Sequence, residues 1–149
     1  MPGQSRIDAP GALHHIIMRG IEKKPIFKDD ADRDNLLERL KTILKGGTAF
    51  CFAWSLMPNH VHLVVTPYSG FTLPKILHSW KSYSAHEINK ALAREGNVWE
   101  EEAFDHLVRN ERALSKFVDY TENNPVAAGL CERPEDWAFS SGRFRVRLD

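Results

Sequence analysis

The sequence predicts an α+β fold of the ferredoxin-like type, in which one antiparallel sheet carries helices packed on one face. Apolar runs of strand length alternate with two long stretches of helical periodicity in the order β-α-β-β-α, and weaker strand and helix signals follow. The two middle strands are separated only by Pro58-Asn59, a connection so short that the strands must form an antiparallel hairpin. No repeat and no long linker divides the 149 residues, so we expect a single domain over 1–149.

The first half of the chain accounts for three strands and one helix. Residues 13–19 are β-branched and apolar and predict the first strand, which Gly20 ends. Residues 29–45 carry leucine and isoleucine at helical spacing and predict a helix. Residues 49–57 form a continuous aromatic and apolar run that is typical of a buried strand, and residues 60–66 predict its hairpin partner.

The second half is predicted to be mostly helical. Residues 72–94 carry an apolar stripe with helical spacing and predict a second long helix. Residues 98–108 are aromatic and acidic and fit either a short strand, the last of the fold, or irregular turns. Asn110 is typical of a helix N-cap, which predicts a third helix over 111–122, and 126–130 predicts a further short helix.

Composition excludes several classes of protein. Twenty basic and twenty acidic residues cancel, so a nucleic-acid site must be a local basic patch. Cys51 and Cys131 are far apart, which fits a reducing cytosol better than a disulfide scaffold. Residues 1–10 lack the apolar core of a signal peptide, and no run approaches the ~20 apolar residues of a membrane span. We therefore expect a cytoplasmic protein with no membrane partner.

The most informative feature is the pair His60 and His62 in the second strand of the hairpin. Strand side chains alternate between faces, so both imidazoles project from the same face of the sheet. Two imidazoles in this arrangement can hold one divalent ion and leave its other coordination positions open. A half-buried pair with a purely structural role has the same spacing, so the pair alone is not specific.

The second informative feature is Tyr120 with Asn124 near the end of the third predicted helix. At i and i+4 the two side chains share one helix face. The amide oxygen is a hard ligand suited to Mg²⁺ or Mn²⁺, and the phenol can act as a nucleophile. A core tyrosine followed by a helix-ending Asn-Asn-Pro gives the same pattern, and Pro125 disfavours helical backbone at Asn124.

Taken together, these segments resemble the HUH-type single-tyrosine transposases, and most closely their REP-associated branch. The resemblance rests on Met-Pro-Asn-His-Val-His-Leu at 57–63 and on Tyr120 with Asn-Asn-Pro-Val-Ala-Ala-Gly-Leu at 123–130. Further motifs follow in the family's order from about residue 10 to about residue 143, namely His15, Arg19-Gly20, Pro25-Ile26-Phe27, Asp32-Arg33, Lys81-Ser82-Tyr83, Ile88-Asn89-Lys90, Gly96-Asn97-Val98-Trp99, Phe104-Asp105, Trp137 and Ser140-Ser141.

The resemblance implies a ferredoxin-like domain that cleaves and joins single-stranded DNA near hairpins. His60, His62 and Asn124 would hold Mg²⁺ or Mn²⁺, and Tyr120 would attack the DNA to form a 5′-phosphotyrosine. Tyr83 is a rival tyrosine, but no asparagine follows it at i+4. The base that accepts the phenol proton stays open between three groups, namely His15, Glu122 and a metal-bound hydroxide.

The partner implied is single-stranded or hairpin DNA, which makes a nucleoid-associated location the expected one. Candidate DNA-binding residues are Arg19, Lys23, Lys81, Arg109 and Arg112, of which Arg19 and Lys81 coincide with family motifs. The REP-associated branch implies a monomer that supplies its tyrosine in cis, whereas a homodimer would exchange tyrosine helices.

Two other functional classes are compatible with the sequence. One is a catalytically inactive protein that binds hairpin or single-stranded DNA on the same fold. The other is a metal-dependent hydrolase of small phosphoesters, which would need no tyrosine.

Overall fold

The computed structural model describes residues 12–27, 29, 31, 33–36, 38 and 47–143. Four strands form one sheet, and two long helices are described, with the bounds β1 Leu13–Arg19, β2 Ala49–Met57, β3 His60–Pro67, α1 Leu73–Leu92, β4 Phe104–Val108 and α2 Glu111–Ala127. The strand order is β2-β3-β1-β4 and every pairing is antiparallel. The predicted ferredoxin-like α+β fold with one antiparallel sheet is confirmed, including its final strand. The helices, however, pack on both faces of the sheet and not on one face as the sequence predicted.

The first predicted helix, at 29–45, lies largely outside the described residues. The described positions 31, 33–36 and 38 are all helical. The described helices are too short or too polar to cross a membrane.

The two faces of the sheet pack against different helices. The face that carries Ile16, Val61 and Leu63 packs against the apolar side of α1, including Leu77 and Trp80, and forms the main core. α2 covers the opposite face, where its aromatic side chains contact the imidazoles of β1 and β3. The side chains beneath α2 are therefore enclosed between a helix and the sheet, although that face is not the main apolar core.

α2 is longer than the sequence predicts, and the separate short helix expected at 126–130 does not form: α2 includes residues 126 and 127, and residues 128–130 form a turn and a bend. Pro125 lies inside the helix, which ends only at Ala127. Proline lacks an N–H and disfavours helical backbone in the residue before it, which is why the expected end was 122. The Ala128 amide donates to the Asn124 carbonyl, and the Leu130 amide donates to the Pro125 carbonyl. These bonds keep the final turn helical beyond the proline.

The segment that follows α2 covers the outer edge of β2. The Leu56 amide donates to the Phe139 carbonyl at 2.8 Å, and Ser140 forms a bridge with Ser55. The Arg33 guanidinium lies 3.4 Å from the centroid of the Phe139 ring, which ties this segment to the described part of the first helix. The stretch of the sheet edge at Ser55 and Leu56, which would otherwise offer unpaired backbone groups, is thus paired with the chain itself.

Candidate active site

β3 is an interior strand of the sheet, and it presents His60 and His62 on the face that α2 covers. Their ring centroids lie 4.9 Å apart, and Arg19 and Ile17 of β1 are their cross-strand neighbours. His62 is buried at 2% exposure, whereas His60 is only partly buried. The period-2 alternation of a strand is enough to bring these two imidazoles side by side.

α2 places Tyr120 and Asn124 over the same two histidines of the same chain. The Tyr120 ring centroid lies 5.7 Å from that of His62, and 52% of the tyrosine is exposed. The helix starts at the N-cap Asn110, whose side-chain oxygen accepts from the Ala113 amide at 2.8 Å. Because the helix continues through Pro125, Asn124 keeps its i+4 position relative to Tyr120.

These side chains surround one cavity of about 390 Å³ between the sheet and α2. Its lining consists of Ile17, Arg19, His60, His62, Tyr120, Asn124, Ala127 and Ala128. A nucleophile candidate, the paired imidazoles, an amide and one cation therefore converge on a single space. The small alanines leave room beside the phenol for a substrate group.

Both histidines of the pair are held neutral at physiological pH. The pKa of His62 is lowered to about 3, chiefly by burial and to a smaller extent by the neighbouring imidazoles of His60 and His15 and the Arg19 cation. The pKa of His60 is also lowered, chiefly by burial, and the Asn124 amide opposes the shift on both rings. Neutral imidazoles have a free lone pair, which is the form that binds a metal ion.

The hydrogen bonds around the pair engage the Nδ1 atom of each ring. Nδ1 of His60 lies 2.7 Å from Oδ1 of Asn59, and Nδ1 of His62 lies 3.2 Å from Nε2 of His15. Nε2 of His62 is buried and has no partner at hydrogen-bonding geometry among the described residues. A buried nitrogen without a partner costs about 1–3 kcal/mol, which a bound cation would recover.

The donor set fits a small divalent cation. In the described part of the chain, no three His, Cys, Asp or Glu side chains form a metal-binding group. A metal site here would therefore consist of two imidazole nitrogens and the Asn124 amide oxygen, with positions left for substrate. Imidazole and amide ligands suit Mn²⁺ at least as well as Mg²⁺.

The two side chains considered as a base for Tyr120 are engaged by other residues. His15 is buried, and burial together with neighbouring His106 lowers its pKa to about 4, while Asp105 opposes the shift. The Glu122 carboxylate accepts from the Ser141 hydroxyl at 2.7 Å and does not line the cavity of the histidine pair. Glu122 therefore anchors α2 in this structure.

The five basic residues predicted to bind DNA are not clustered. Arg19 alone of the five lines the cavity, and its guanidinium lies 6.0 Å from the Phe104 ring centroid. Lys23 is exposed in the turn that follows β1, and Arg109 and Arg112 are exposed where α2 begins. The Lys81 ammonium instead donates to the carbonyls of residues 100 and 101 on the α1 side of the sheet.

Sequence reasoning did not assign a role to Asn59 or Ser141, nor to the pairing of His15 with His62. His15 shares the parity of Ile17 and Arg19 on β1, but its neighbours follow only from the register between β1 and β3. Ser141 is 19 residues from Glu122, and no local pattern indicates that they meet.

Comparison with known proteins identifies relatives over most of the chain. The family profile described as Transposase IS200 like matches residues 10–124. A REP-associated tyrosine transposase of Escherichia coli is 30% identical over 92 residues, which cover 60% of this chain and 52% of that protein. A Haemophilus influenzae protein assigned to the same group is 26% identical over 104 residues, 63% of this chain and 59% of its own length. The chain thus spans little more than half the length of these curated relatives.

Two solved structures share the fold. A REP-associated tyrosine transposase bound to a REP hairpin superposes with a TM-score of 0.74 at 20% identity, over 91% of this chain and 79% of the other. A transposase-like protein from Deinococcus radiodurans superposes with a TM-score of 0.55 at 20% identity, over 79% of this chain and 97% of the other.

Proposed function

The chain belongs to the IS200-like transposase family, and on this premise we propose that it is a metal-dependent transposase that cleaves and rejoins single-stranded DNA beside hairpins. The observation that carries the proposal is the single cavity in which Tyr120 faces His60, His62 and Asn124 of its own chain. The hairpin-bound relative with the same fold supports hairpin DNA as the substrate class. Such an enzyme would work at the nucleoid in the cytoplasm.

In the proposed reaction, the Tyr120 phenol oxygen attacks the phosphorus of a phosphodiester. A phosphorus–oxygen bond to the tyrosine forms, and the bond to the 3′ oxygen of the preceding nucleotide breaks. The phenol loses its proton and the departing 3′ oxygen gains one, so the products are a 5′-phosphotyrosine and a free 3′-hydroxyl. Because the covalent link keeps the energy of the phosphodiester, a second 3′-hydroxyl can reseal the strand without ATP.

The surrounding side chains have separate parts in this reaction. His60, His62 and Asn124 would hold Mg²⁺ or Mn²⁺, which would polarise the phosphate and offset its growing negative charge. Arg19 lines the same cavity and would add a fixed positive charge beside the phosphate. The helical spacing of Tyr120 and Asn124 fixes the phenol relative to the metal ligands.

The proposed metal site carries no negative ligand, which sets its behaviour. Two neutral imidazoles and an amide should bind Mg²⁺ weakly until the DNA phosphate adds its charge. Cleavage of a hairpin oligonucleotide should therefore need added Mg²⁺ or Mn²⁺, with Mn²⁺ at least as effective. Full cleavage in excess chelator would eliminate the metal from the proposal.

The nucleophile is tested with Tyr120→Phe on end-labelled single-stranded DNA that carries a hairpin. The variant should bind this DNA like the wild type but cleave it at least about 10³-fold more slowly, because phenylalanine has no oxygen to attack. Tyr83→Phe is the matched control, since Tyr83 is also an exposed tyrosine on a helix but lies outside the cavity. Equal losses in both variants would contradict the assignment.

The Tyr120→Phe variant also separates the alternatives, in the DNA assay and with a chromogenic phosphodiester. A binding protein without activity would retain the DNA and leave it intact with every metal tested. A hydrolase of small phosphoesters would retain its activity in Tyr120→Phe.

A further inference from the structure

We propose that His15 is a positioning residue that fixes the proton of His62 on Nδ1 and so directs the Nε2 lone pair of His62 toward the metal. The inference rests on the proposed function, because it assigns His15 a task at the same site. His15 would act through His62 and would touch neither the substrate nor the metal.

The strand register brings the two histidines together. His15 pairs with Val64 and Ile17 pairs with His62, so His15 and His62 are diagonal neighbours on one face of the sheet. Their rings stack with centroids 5.5 Å apart and an interplanar angle of 9°. Nε2 of His15 lies 3.2 Å from Nδ1 of His62, and both residues are 2% exposed.

The proton in the hydrogen bond between His15 and His62 determines whether Nε2 of His62 can bind a metal. If His15 donates, Nε2 of His62 must carry the other proton of a neutral ring and cannot bind a metal. If His62 donates from Nδ1, its Nε2 has a lone pair, and that atom is the buried nitrogen without a partner beside the cavity. Metal binding therefore requires His15 to be the acceptor.

His60 has an equivalent acceptor, which supports this reading. Oδ1 of Asn59 lies 2.7 Å from Nδ1 of His60. An amide oxygen only accepts, so Nδ1 of His60 carries the proton and Nε2 is left with the lone pair. Each imidazole of the pair thus has a hydrogen-bond acceptor next to its Nδ1, and in both rings Nε2 is the nitrogen that keeps the lone pair for the metal. Partners of this kind orient metal-binding histidines and raise their basicity.

The surroundings of His15 disfavour the alternative role as the base for Tyr120. Its Nε2 is engaged by His62, and its Nδ1 is buried without a partner among the described residues. The ring of Phe117 lies against it with centroids 4.9 Å apart. The Tyr120 ring meets His15 edge-on at 5.7 Å, with no hydrogen bond between them in the described structure.

The test compares His15→Gln with His15→Met, two side chains of nearly equal length of which only glutamine offers a strong acceptor oxygen. Mn²⁺ binding to the DNA-free protein is measured by electron paramagnetic resonance of the unbound ion. His15→Met should weaken Mn²⁺ binding by about 10–100-fold, and His15→Gln should stay within about 3-fold of wild type. His106→Phe is the control, because His106 also packs on Phe117 but is exposed and has no bond to His62.

A second readout needs no metal and no variant. The ¹⁵N shifts of His62 in the metal-free wild type should report the proton on Nδ1. A wild-type proton on Nε2 would overturn the inference even if His15→Met failed to fold.

The outcomes also separate this inference from the proposed function. Normal Mn²⁺ affinity in His15→Met would remove the positioning role and leave the metal site intact. A wild type that bound no Mn²⁺ would overturn both the positioning role and the metal site. Cleavage by Tyr120 would still be decided by Tyr120→Phe.

Discussion

Burial sets the protonation of the histidines beneath Tyr120. The pKa values of His15 and His62 fall to about 4 and about 3, mainly because the enclosed rings lose the solvation of their charged forms. The surrounding cation Arg19 adds to the effect on His62. Neutral imidazoles suit a metal ion and a phosphate that bring their own charges.

These shifts predict how stability depends on pH. In the unfolded chain the two histidines titrate near 6.5, so below that pH the unfolded state binds more protons than the native state. The contribution of these histidines to the free energy of unfolding should therefore be largest above pH 6.5. As the pH falls toward 4, the free energy of unfolding should decrease by up to about 1.4 kcal/mol per pH unit for each histidine.

Urea unfolding of the metal-free protein between pH 4.5 and 7.5 measures this slope. His15→Gln removes one of the buried titrating histidines and should make the slope shallower. Stability that did not change across this range would contradict the buried neutral histidines.

The uncharged ligand set predicts a gain of affinity from a single substitution. Asn124→Asp would place a carboxylate where the amide faces His60 and His62, and it should tighten Mn²⁺ binding by about 10-fold or more. Asn123→Asp adds the same charge one residue away, outside the cavity lining, and should leave the affinity nearly unchanged. Calorimetric titration with Mn²⁺ compares the two, and equal effects would argue against a direct contact from residue 124.

Residue-scale prediction succeeded where it depended on local periodicity. The common face of His60 and His62 follows from strand alternation, and the i+4 relation of Tyr120 and Asn124 follows from helix geometry. The position of His15, the proposed acceptor for His62, depends on the register between β1 and β3. That register cannot be deduced from the residue spacing within one strand.

At the scale of elements, the position of α2 determines whether the site exists. Glu122 is buried and accepts from the Ser141 hydroxyl, which also bonds the backbone of Trp54 on β2. The segment after α2 thus ties the helix that carries Tyr120 to the edge of the sheet. The hydrogen bond between Glu122 and Ser141 lies two residues along α2 from Tyr120, so it constrains the distance between the phenol and the histidines.

Ser141→Ala should lower the free energy of unfolding by about 1–3 kcal/mol, because a buried carboxylate loses a hydrogen bond. Cleavage should fall as well, since α2 would be held less firmly. Ser82→Ala is the control, being an exposed serine on α1, and should change stability by less than about 0.5 kcal/mol. Urea unfolding gives both values, and equal stability of the two variants would contradict the anchoring role.

The order of elements was predictable from sequence, whereas the end of α2 was not. Apolar periodicity fixed the β-α-β-β-α order, and the short Pro58-Asn59 connection fixed the hairpin. The expected stop near 122 was wrong because the turn after Pro125 is held by backbone hydrogen bonds that outweigh its local preference. The strand β4 became definite only through pairing with β1, since its five residues carry a weak local signal.

At the scale of the whole molecule, one chain supplies every proposed group of the site. Tyr120 and Asn124 lie over His60 and His62 of the same chain. This arrangement supports a monomer that acts in cis over a dimer that exchanges tyrosine helices.

Mixing two inactive variants tests the cis arrangement. Tyr120→Phe and a variant with His60→Ala and His62→Ala should remain inactive when combined, because neither chain would hold a complete site. Restored cleavage in the mixture would require helices exchanged between chains. Analytical ultracentrifugation of the wild type with hairpin DNA should accordingly show one protein chain per DNA.

The central claim is that the Tyr120 phenol becomes covalently joined to DNA, and mass spectrometry of the adduct tests it most directly. Wild-type protein is incubated with a single-stranded hairpin oligonucleotide and Mn²⁺, denatured, and digested with protease and nuclease. The account predicts a nucleotide phosphate on the peptide that contains Tyr120, and its absence in Tyr120→Phe. A modification on Tyr83 or another residue, or cleavage with no adduct at all, would contradict it.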